Sequence, residues 1–360
     1  MKKKQVVLAM SGGVDSSVAA YLLKKQGYSV IGVTFKVWPK NLCGKHARRS
    51  CCSVDAIADA RSVCAKLGIP HYAIDCEKEF KRRVIDHFIN SYKRGLTPNP
   101  CIICNEEIKF PILLKKARQT KSDYIATGHH ARCVYNKKHK RFVIKEGKDK
   151  KKEQSYVLFS LNQDILSHLI LPVGDYTKDK IRAIAKRLKF ASYSREESQE
   201  ICFVMDNNLN KFLKEKLKKK DIRPGIIKNK DGAILGKHPG TCFYTIGQRR
   251  GLKISCGKPI YITDINHKKG EIVIGDYNDT LKKTLRAKDI NWIIPPKKSQ
   301  KLLHAEARTR YKEPKAKASL KPLSSKTCEV RFSKPQSSPT PGQAVVFYKG
   351  DTVIAGAWIT

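Results

Sequence analysis

Apolar positions in the first 130 residues follow two alternating rhythms. Short continuous runs, Val6–Met10, Ser29–Val37, His71–Asp75 and Tyr124–Thr127, read as buried strands. Between them Asp15–Gln26, Val54–Leu67, Glu79–Lys93 and Asn105–Gln119 have helical spacing, with Val18, Leu22 and Leu23 on one face of the first. This alternation predicts an α/β fold built on a parallel sheet covered on both faces, whose ligands sit beyond the carboxyl ends of the strands. Two more helical segments follow between Gln154 and Leu188, broken at Pro172-Val-Gly-Asp. From about Arg223 the texture becomes short β runs with glycine turns: Gly225-Ile-Ile-Lys, Gly232-Ala-Ile-Leu-Gly, Tyr261-Ile-Thr-Asp and Glu271-Ile-Val-Ile-Gly. A second β-rich stretch, His304–Thr360, lies beyond the linker Pro295-Pro-Lys-Lys-Ser. Domains are therefore expected over 1–207, 208–285 and 286–360.

At the first strand-to-helix junction stands Ser11-Gly-Gly-Val-Asp-Ser16. A glycine turn there aims several backbone N–H groups and the positive end of a helix dipole at one point, which makes an anion site and most often a phosphate site. The pattern lacks the Gly-Lys-Ser/Thr ending of a Walker loop and the G-x-G-x-x-G of a dinucleotide fold. It resembles the pyrophosphate loop of the N-type ATP pyrophosphatases. That resemblance implies ATP binding and cleavage between the α and β phosphates to adenylate a substrate.

Charge narrows the partner. Among 360 residues, 73 Lys and Arg face 32 Asp and Glu, a net charge of +41. A polyanion fits this balance, with nucleic acid ahead of a membrane surface. A general preference for lysine explains part of the excess, since runs such as Lys148–Lys152 and Lys214–Lys220 are scattered along the chain. No run approaches 18 apolar residues and the start, Met1-Lys-Lys-Lys-Gln, has no secretory apolar region, so no membrane span and a cytoplasmic location are expected. Twelve cysteines in such a setting are expected to be mostly reduced.

Two of those cysteines draw notice. In Thr97-Pro-Asn-Pro-Cys-Ile-Ile-Cys-Asn105, two prolines stiffen a loop and Cys104 is expected immediately before the helix Asn105–Gln119. A thiolate at a helix N-terminus is stabilised by the dipole. Cys101-x-x-Cys104 alone would also suit half a zinc site or a redox pair, but no second Cys-x-x-Cys exists and Cys51-Cys52 has the wrong spacing. By itself Cys202, in Glu197-Ser-Gln-Glu-Ile-Cys-Phe-Val204, reads as a small buried hydrophobe. Cys43, Cys51, Cys52, Cys64, Cys76, Cys133, Cys242, Cys256 and Cys328 read as packing. His129-His130 reads as a packed or hydrogen-bonded pair at a strand end, and Tyr244–Gly251 as a β-turn framework.

Taken in order, Ser11–Ser17, Thr97–Asn105, Ala126-Thr-Gly-His129, Gln154-Ser-Tyr156, Glu200-Ile-Cys-Phe203, Tyr244-Thr-Ile-Gly-Gln-Arg-Arg-Gly251 and Pro341-Gly-Gln-Ala344 resemble the bacterial tRNA-specific 2-thiouridylases over essentially the whole chain. The resemblance implies an N-terminal ATP pyrophosphatase domain, a small central domain and a C-terminal β-barrel. It implies ATP-dependent conversion of the wobble uridine of tRNAs for Lys, Glu and Gln to 2-thiouridine; Mg²⁺ is expected with the ATP, and a monomer is expected. The sulfur would come from a cysteine desulfurase or a sulfur-relay protein. Carried residue by residue, Ala9, Met10, Ser11, Gly12, Gly13, Val14, Asp15, Ser16, Phe35 and Gly128 would bind ATP. Cys104 would be the nucleophile, and Cys202 would carry persulfide and pair transiently with Cys104. Asn99, Pro100 and Cys101 would meet the target base; His129, Lys152, Glu153, Gln154, Arg310, Tyr311 and Gln343 would touch tRNA. This chain departs from the family's best-known members at Cys101, where they carry Asp. The 98 positions between the two working cysteines imply that the segment near 195–210 moves and is ordered by tRNA. Rival readings are a synthetase acting on a small molecule, a thiolase of another base position, and a non-catalytic RNA-binding protein.

Overall fold

In a computed structural model, residues 3–37, 54–194, 201–204, 208–254, 257–297 and 299–360 are described. They form two compact units: Met1–Ile85, Pro100–Asn207 and Asp351–Ile354 make the first, and Asp86–Asn99, Asn208–Gly350 and Ala355–Thr360 the second.

The first unit carries β1 (Gln5–Ala9), β2 (Ser29–Lys36), β3 (His71–Asp75), β4 (Tyr124–Ala126), a hairpin of β5 (Ala131–Asn136) and β6 (Arg141–Glu146), and β7 (Leu169–Ile170). Strands β3-β2-β1-β4-β7 pair in parallel in that order. Val6, Val7 and Leu8 of the central strand are fully buried because both faces of such a sheet are covered. Each buried aliphatic side chain there is worth about 1.5–3 kcal/mol. The helices are α1 (Val14–Lys25), α2 (Val54–Leu67), α3 (Glu77–Phe80), α4 (Asp86–Lys93), α5 (Pro100–Cys104), α6 (Phe110–Gln119), α7 (Gln163–His168) and α8 (Lys178–Arg187), of which α4 falls in the second unit. Val14, Val18, Ala19, Leu22 and Leu23 of α1 share one core with Val6 and Leu8 of β1 and Ile181 and Ala185 of α8.

Three departures from the sequence reading lie within residues 79–146. The helix expected over Glu79–Lys93 is α3, a π-helical stretch Lys81–Ile85 and α4. The helix expected to begin at Asn105 begins at Pro100 instead: α5 passes through a π-helical stretch Asn105–Lys109 into α6. Proline suits a first helical turn, because the N–H it lacks would have no intrahelical partner. Third, the β5–β6 hairpin has no counterpart in the predicted elements. Its strands mix Arg and Lys with exposed Val134 and Tyr135, which blurs the alternation that marks a half-buried strand.

The second unit holds α9 (Leu209–Lys216) and two sheets. In the smaller, β8 (Gly225–Asn229), β9 (Ile234–His238), β10 (Tyr261–Asn266) and β11 (Glu271–Gly275) pair in the order β10-β11-β8-β9 around Ile227, Ile262, Ile272 and Ile274. The larger contains β12 (Leu281–Trp292), β13 (Leu303–Arg308), β14 (Ala316–Pro322), β15 (Thr327–Ser337), β16 (Ala344–Lys349) and β17 (Thr352–Ile359), in the order β12-β15-β14-β13-β16-β17. Pairing of β12 with β17 closes it into a six-stranded barrel, so the β-rich stretch expected to begin at His304 in fact includes β12, which precedes Pro295. Among the described residues no helix is long and apolar enough to cross a membrane. Of the segment near 195–210, residues 195–200 and 205–207 lie outside the described residues.

Candidate active site

The loop after β1 is fixed by its own hydroxyls. Ser11 N–H donates to Ser16 Oγ at 3.1 Å, and Ser16 Oγ donates to Gly13 O at 3.0 Å. Ser17 Oγ donates to the same carbonyl at 2.9 Å. Upstream, Met10 N–H reaches Val33 O at 2.8 Å and Thr34 Oγ1 donates to Met10 O at 2.8 Å, so both sides of the loop entrance are held to β2. Gly12 has φ +68°, and a Cβ there would lie 2.5 Å from Ala56 O. Gly13, the N-cap of α1, provides no side-chain cap, which leaves the first helical N–H groups to an incoming anion. Gly128 closes on the same point: a Cβ on it would lie 2.8 Å from Ser16 N. Ala9 ends β1, and Phe35 is buried in β2 opposite Ile74.

Asp15, in the first turn of α1, is the electrostatic centre. Lys178 Nζ donates to both its carboxylate oxygens at 2.7 Å, and His130 Nε2 donates to Oδ1 at 2.9 Å. The Lys178 side chain is only 8% exposed and that of His130 3%. Burial works against the Asp15 charge, yet the His130 hydrogen bond and the Lys178 ammonium hold its carboxyl below the usual carboxylate range. Asp149 supports the arrangement by accepting from Lys178 N–H at 2.9 Å. Burial of Asp149 likewise opposes its charge, and the backbone N–H groups of Lys178 and Lys151 outweigh that. Gln154 clamps His130 from both sides: its Oε1 accepts from His130 N–H and its N–H donates to His130 O, each at 2.9 Å. Sequence reasoning missed Lys178 and Asp149. Lys178 meets Asp15 across 163 positions, a contact that no local pattern announces.

His129 is oriented by Thr127 Oγ1, 2.7 Å from its Nδ1, and stacks on Phe110 with ring centroids 5.9 Å apart. Glu153 is buried, its carboxylate accepting from Ser155 N–H, while Lys152 is half-exposed. Asn105, next to Cys104, is buried and donates through Nδ2 to Val157 O at 2.9 Å, tying the cysteine-bearing helix to the turn after Gln154.

Cys104 and Cys202 are half-exposed in the first unit, and Cys101 is exposed. The expectation that Cys104 opens a helix is corrected: with α5 starting at Pro100, Cys104 lies one turn inside and Cys101 occupies the first turn. The dipole effect fades within that turn, so Cys101 and not Cys104 stands at the helix start. Cys202 is placed by its neighbour Phe203, which is buried edge-to-face on Phe80 at 6.0 Å. By contrast Cys64 and Cys242 have thiols pushed up by burial to about 11, and Cys76, Cys133 and Cys328 to about 12. Such thiols are poor nucleophiles at neutral pH. Cys43, Cys51, Cys52 and Cys256 lie outside the described residues.

Asn99, Arg310, Tyr311 and Gln343 belong to the second unit. There Gln343 Nε2 donates to Thr97 O at 2.9 Å and Thr97 N–H to Pro341 O at 2.8 Å. Arg310 Nη2 donates to Ser338 O at 2.8 Å, and Gly247, at φ +83°, leaves room for Ser338, whose Oγ would lie 2.5 Å from a Cβ. Within Tyr244–Gly251, Gln248 Oε1 accepts from Thr245 N–H, while Arg249 and Arg250 are exposed.

Comparison with known proteins matches the chain to a family. Residues 4–206 match the tRNA methyl transferase HUP domain, 210–276 the tRNA methyl transferase PRC-barrel domain, and 282–359 the aminomethyltransferase β-barrel domain. The chain is 45% identical over 359 residues to a tRNA-specific 2-thiouridylase of Clostridium perfringens, covering 100% of this chain and 99% of that one. It is 46% identical over 357 residues to one from Clostridium botulinum strain Loch Maree, covering 99% of each. Among solved structures, a 4-thiouridine synthetase–RNA complex with bound ATP aligns at TM-score 0.36 and 20% identity, over 59% of this chain and 50% of that one. Full-length identity at this level, with all three domains matched in order, makes the chain a member of the tRNA-specific 2-thiouridylase family and a tRNA sulfurtransferase.

Proposed function

We propose that the enzyme adenylates C2 of the wobble uridine, position 34, in tRNAs for Lys, Glu and Gln and replaces its oxygen with persulfide sulfur. The observation that carries this reading is the uncapped start of α1, with Gly12 and Gly128 fitted against backbone, in a unit that also holds the half-exposed Cys104 and Cys202. The N–H groups of residues 11–16 would hold the ATP phosphates, with Ala9, Met10, Phe35 and Gly128 around the nucleotide. The C2 oxygen attacks the α-phosphorus, pyrophosphate leaves, and the oxygen becomes part of AMP, a far better leaving group. Among the described residues no group of three His, Cys, Asp or Glu gathers to hold a metal, and Asp15 is engaged by Lys178 and His130. We place Mg²⁺ on the ATP phosphates.

Two sulfur routes balance. In one, the Cys104 thiolate attacks the inner sulfur of the Cys202 persulfide, forming a Cys104–Cys202 disulfide and hydrosulfide; hydrosulfide attacks C2 and expels AMP. In the other, the outer persulfide sulfur attacks C2 and expels AMP, and Cys104 then takes the Cys202 sulfur and frees the thiocarbonyl. Either leaves a disulfide that an external thiol reopens by exchange. Cys101, with Asn99 and Pro100, would face the target base; a thiol there cannot supply a carboxylate's charge. His129, Lys152, Gln154, Arg310, Tyr311 and Gln343 would contact tRNA; Glu153, expected to do so as well, is buried and would instead shape the turn that presents its neighbours. We place the boundaries near 207 and 285, the protein in the cytoplasm as a monomer, and a desulfurase or relay protein as sulfur donor. The test is substitution of Cys104→Ser and Cys202→Ser. Both variants should fold and lose 2-thiouridine formation; thiolation retained in both would end the persulfide route.

A further inference from the structure

Directly after His129-His130 the chain enters the β5–β6 hairpin. It is fully registered, from Ala131 opposite Glu146 to Asn136 opposite Arg141. Its base is pinned: Arg132 Nη2 and Lys145 Nζ both bind Asp351, and Thr352 pairs with Lys145. Asn136 Oδ1 accepts from His139 N–H at 3.2 Å, which closes the turn. No Asp or Glu occurs between Ala131 and Lys145. At the tip Lys137, Lys138 and Lys140 are exposed, and among the described residues none of them is ion-paired. Elsewhere surface lysines do find acids, as in Lys93–Asp221, Lys228–Glu271 and Lys258–Asp276. Behind the tip Tyr135 is 52% exposed and set edge-on against Phe142 at 5.2 Å.

We infer that this hairpin is a rigid finger that grips the phosphate backbone of the tRNA substrate away from the reacting base. The inference rests on the tRNA-modifying reading of the same unit. Six residues of antiparallel strand span about 20 Å, so the tip reaches phosphates well beyond those that His129 would contact. A stiff hairpin keeps its lysines extended toward a polyanion at little ordering cost, and each phosphate contact releases counterions.

The experiment compares the full-length chain with a triple variant, Lys137→Gln, Lys138→Gln and Lys140→Asn; asparagine at 140 tolerates the φ of +49° there. Kd for unmodified tRNA-Lys transcript is measured across salt concentrations, together with AMP formation at saturating tRNA. The triple variant should bind about tenfold more weakly at 0.1 M salt, with a slope of log Kd against log salt reduced by about two. AMP formation at saturation should be unchanged, and affinity for a linear oligonucleotide carrying only the anticodon loop should not move. Unaltered Kd and slope would overturn the inference. So would an equal loss for the loop oligonucleotide, which would mean diffuse attraction rather than a placed contact. Because the readout is binding, failure of sulfur transfer in the unaltered enzyme would count against the proposed function and not against the finger.

Discussion

The nucleotide loop and the β5–β6 hairpin lie in one unit and treat charge in opposite ways. At the loop, Asp15 is answered twice, by Lys178 at 2.7 Å and His130 at 2.9 Å, within a mostly buried cluster. At the hairpin tip three lysines project with no acid among the described residues to meet them. Internal pairing fits a place that must be preorganised before a phosphate arrives: a bare carboxylate beside the loop would repel the ligand, and Lys178 cancels it. Unanswered charge fits a surface whose partner supplies the other sign. Net charge alone would not separate these two uses of lysine.

Breaking the loop should have the largest effect. Gly12→Ala puts a Cβ 2.5 Å from Ala56 O at φ +68°, so the loop must shift. AMP formation should fall by about 100-fold as donors leave their positions, with about 1–3 kcal/mol of strain lost from stability. Gly232→Ala is the contrast: φ is +92° but nothing lies within 4 Å of its Cβ. It should cost about 1 kcal/mol in urea unfolding and leave AMP formation intact.

Lys178→Met comes next. It leaves Asp15 with half its compensation, a loss on the order of 3 kcal/mol, read as a lower Tm and a raised KM for ATP. Adding Asp15→Asn should recover part of the Tm, since the uncompensated charge is then gone; additive losses would mean that the pair is not coupled. The smallest effect is in pH. Because the Asp15 carboxyl is held below its ordinary value, its charge stabilises the fold above the unfolded carboxyl pKa of about 3.9 and that contribution fades as pH falls through the lower folded value. The stability gap between wild type and Asp15→Asn, read by urea midpoints, should be steady from pH 6 to 5 and close as the pH is lowered below about 4. A gap independent of pH would remove Asp15 from the electrostatic account.

What could be read in the chain follows the range of the interaction. The Ser11–Ser16 loop was legible because one strand, one turn and one helix start suffice to build it, and each leaves a local signature. The parallel sheet was legible for the same reason, its strands being short unbroken apolar runs such as Val6–Met10. Lys178 was not, because it works only through a contact 163 positions away. The helix start was misplaced by five residues, since Asn-Pro-Cys reads as a stiff loop when Pro100 in fact opens α5. The hairpin escaped because two consecutive apolar residues, Val134 and Tyr135, are both exposed beside its charges, breaking the alternation by which a half-buried strand is recognised. Roles for Cys104 and Cys202 came from resemblance, not from pattern: a thiol's chemistry depends on exposure and neighbours that sequence does not display.

The most direct test of the account is thiolation of unmodified tRNA-Lys transcript with ATP, Mg²⁺ and a sulfide source, read by the mass of the wobble nucleoside alongside AMP. The account predicts one sulfur in place of one oxygen at that nucleoside, with AMP formed in step. Sulfur gained without AMP, or no AMP with any tRNA, would contradict it.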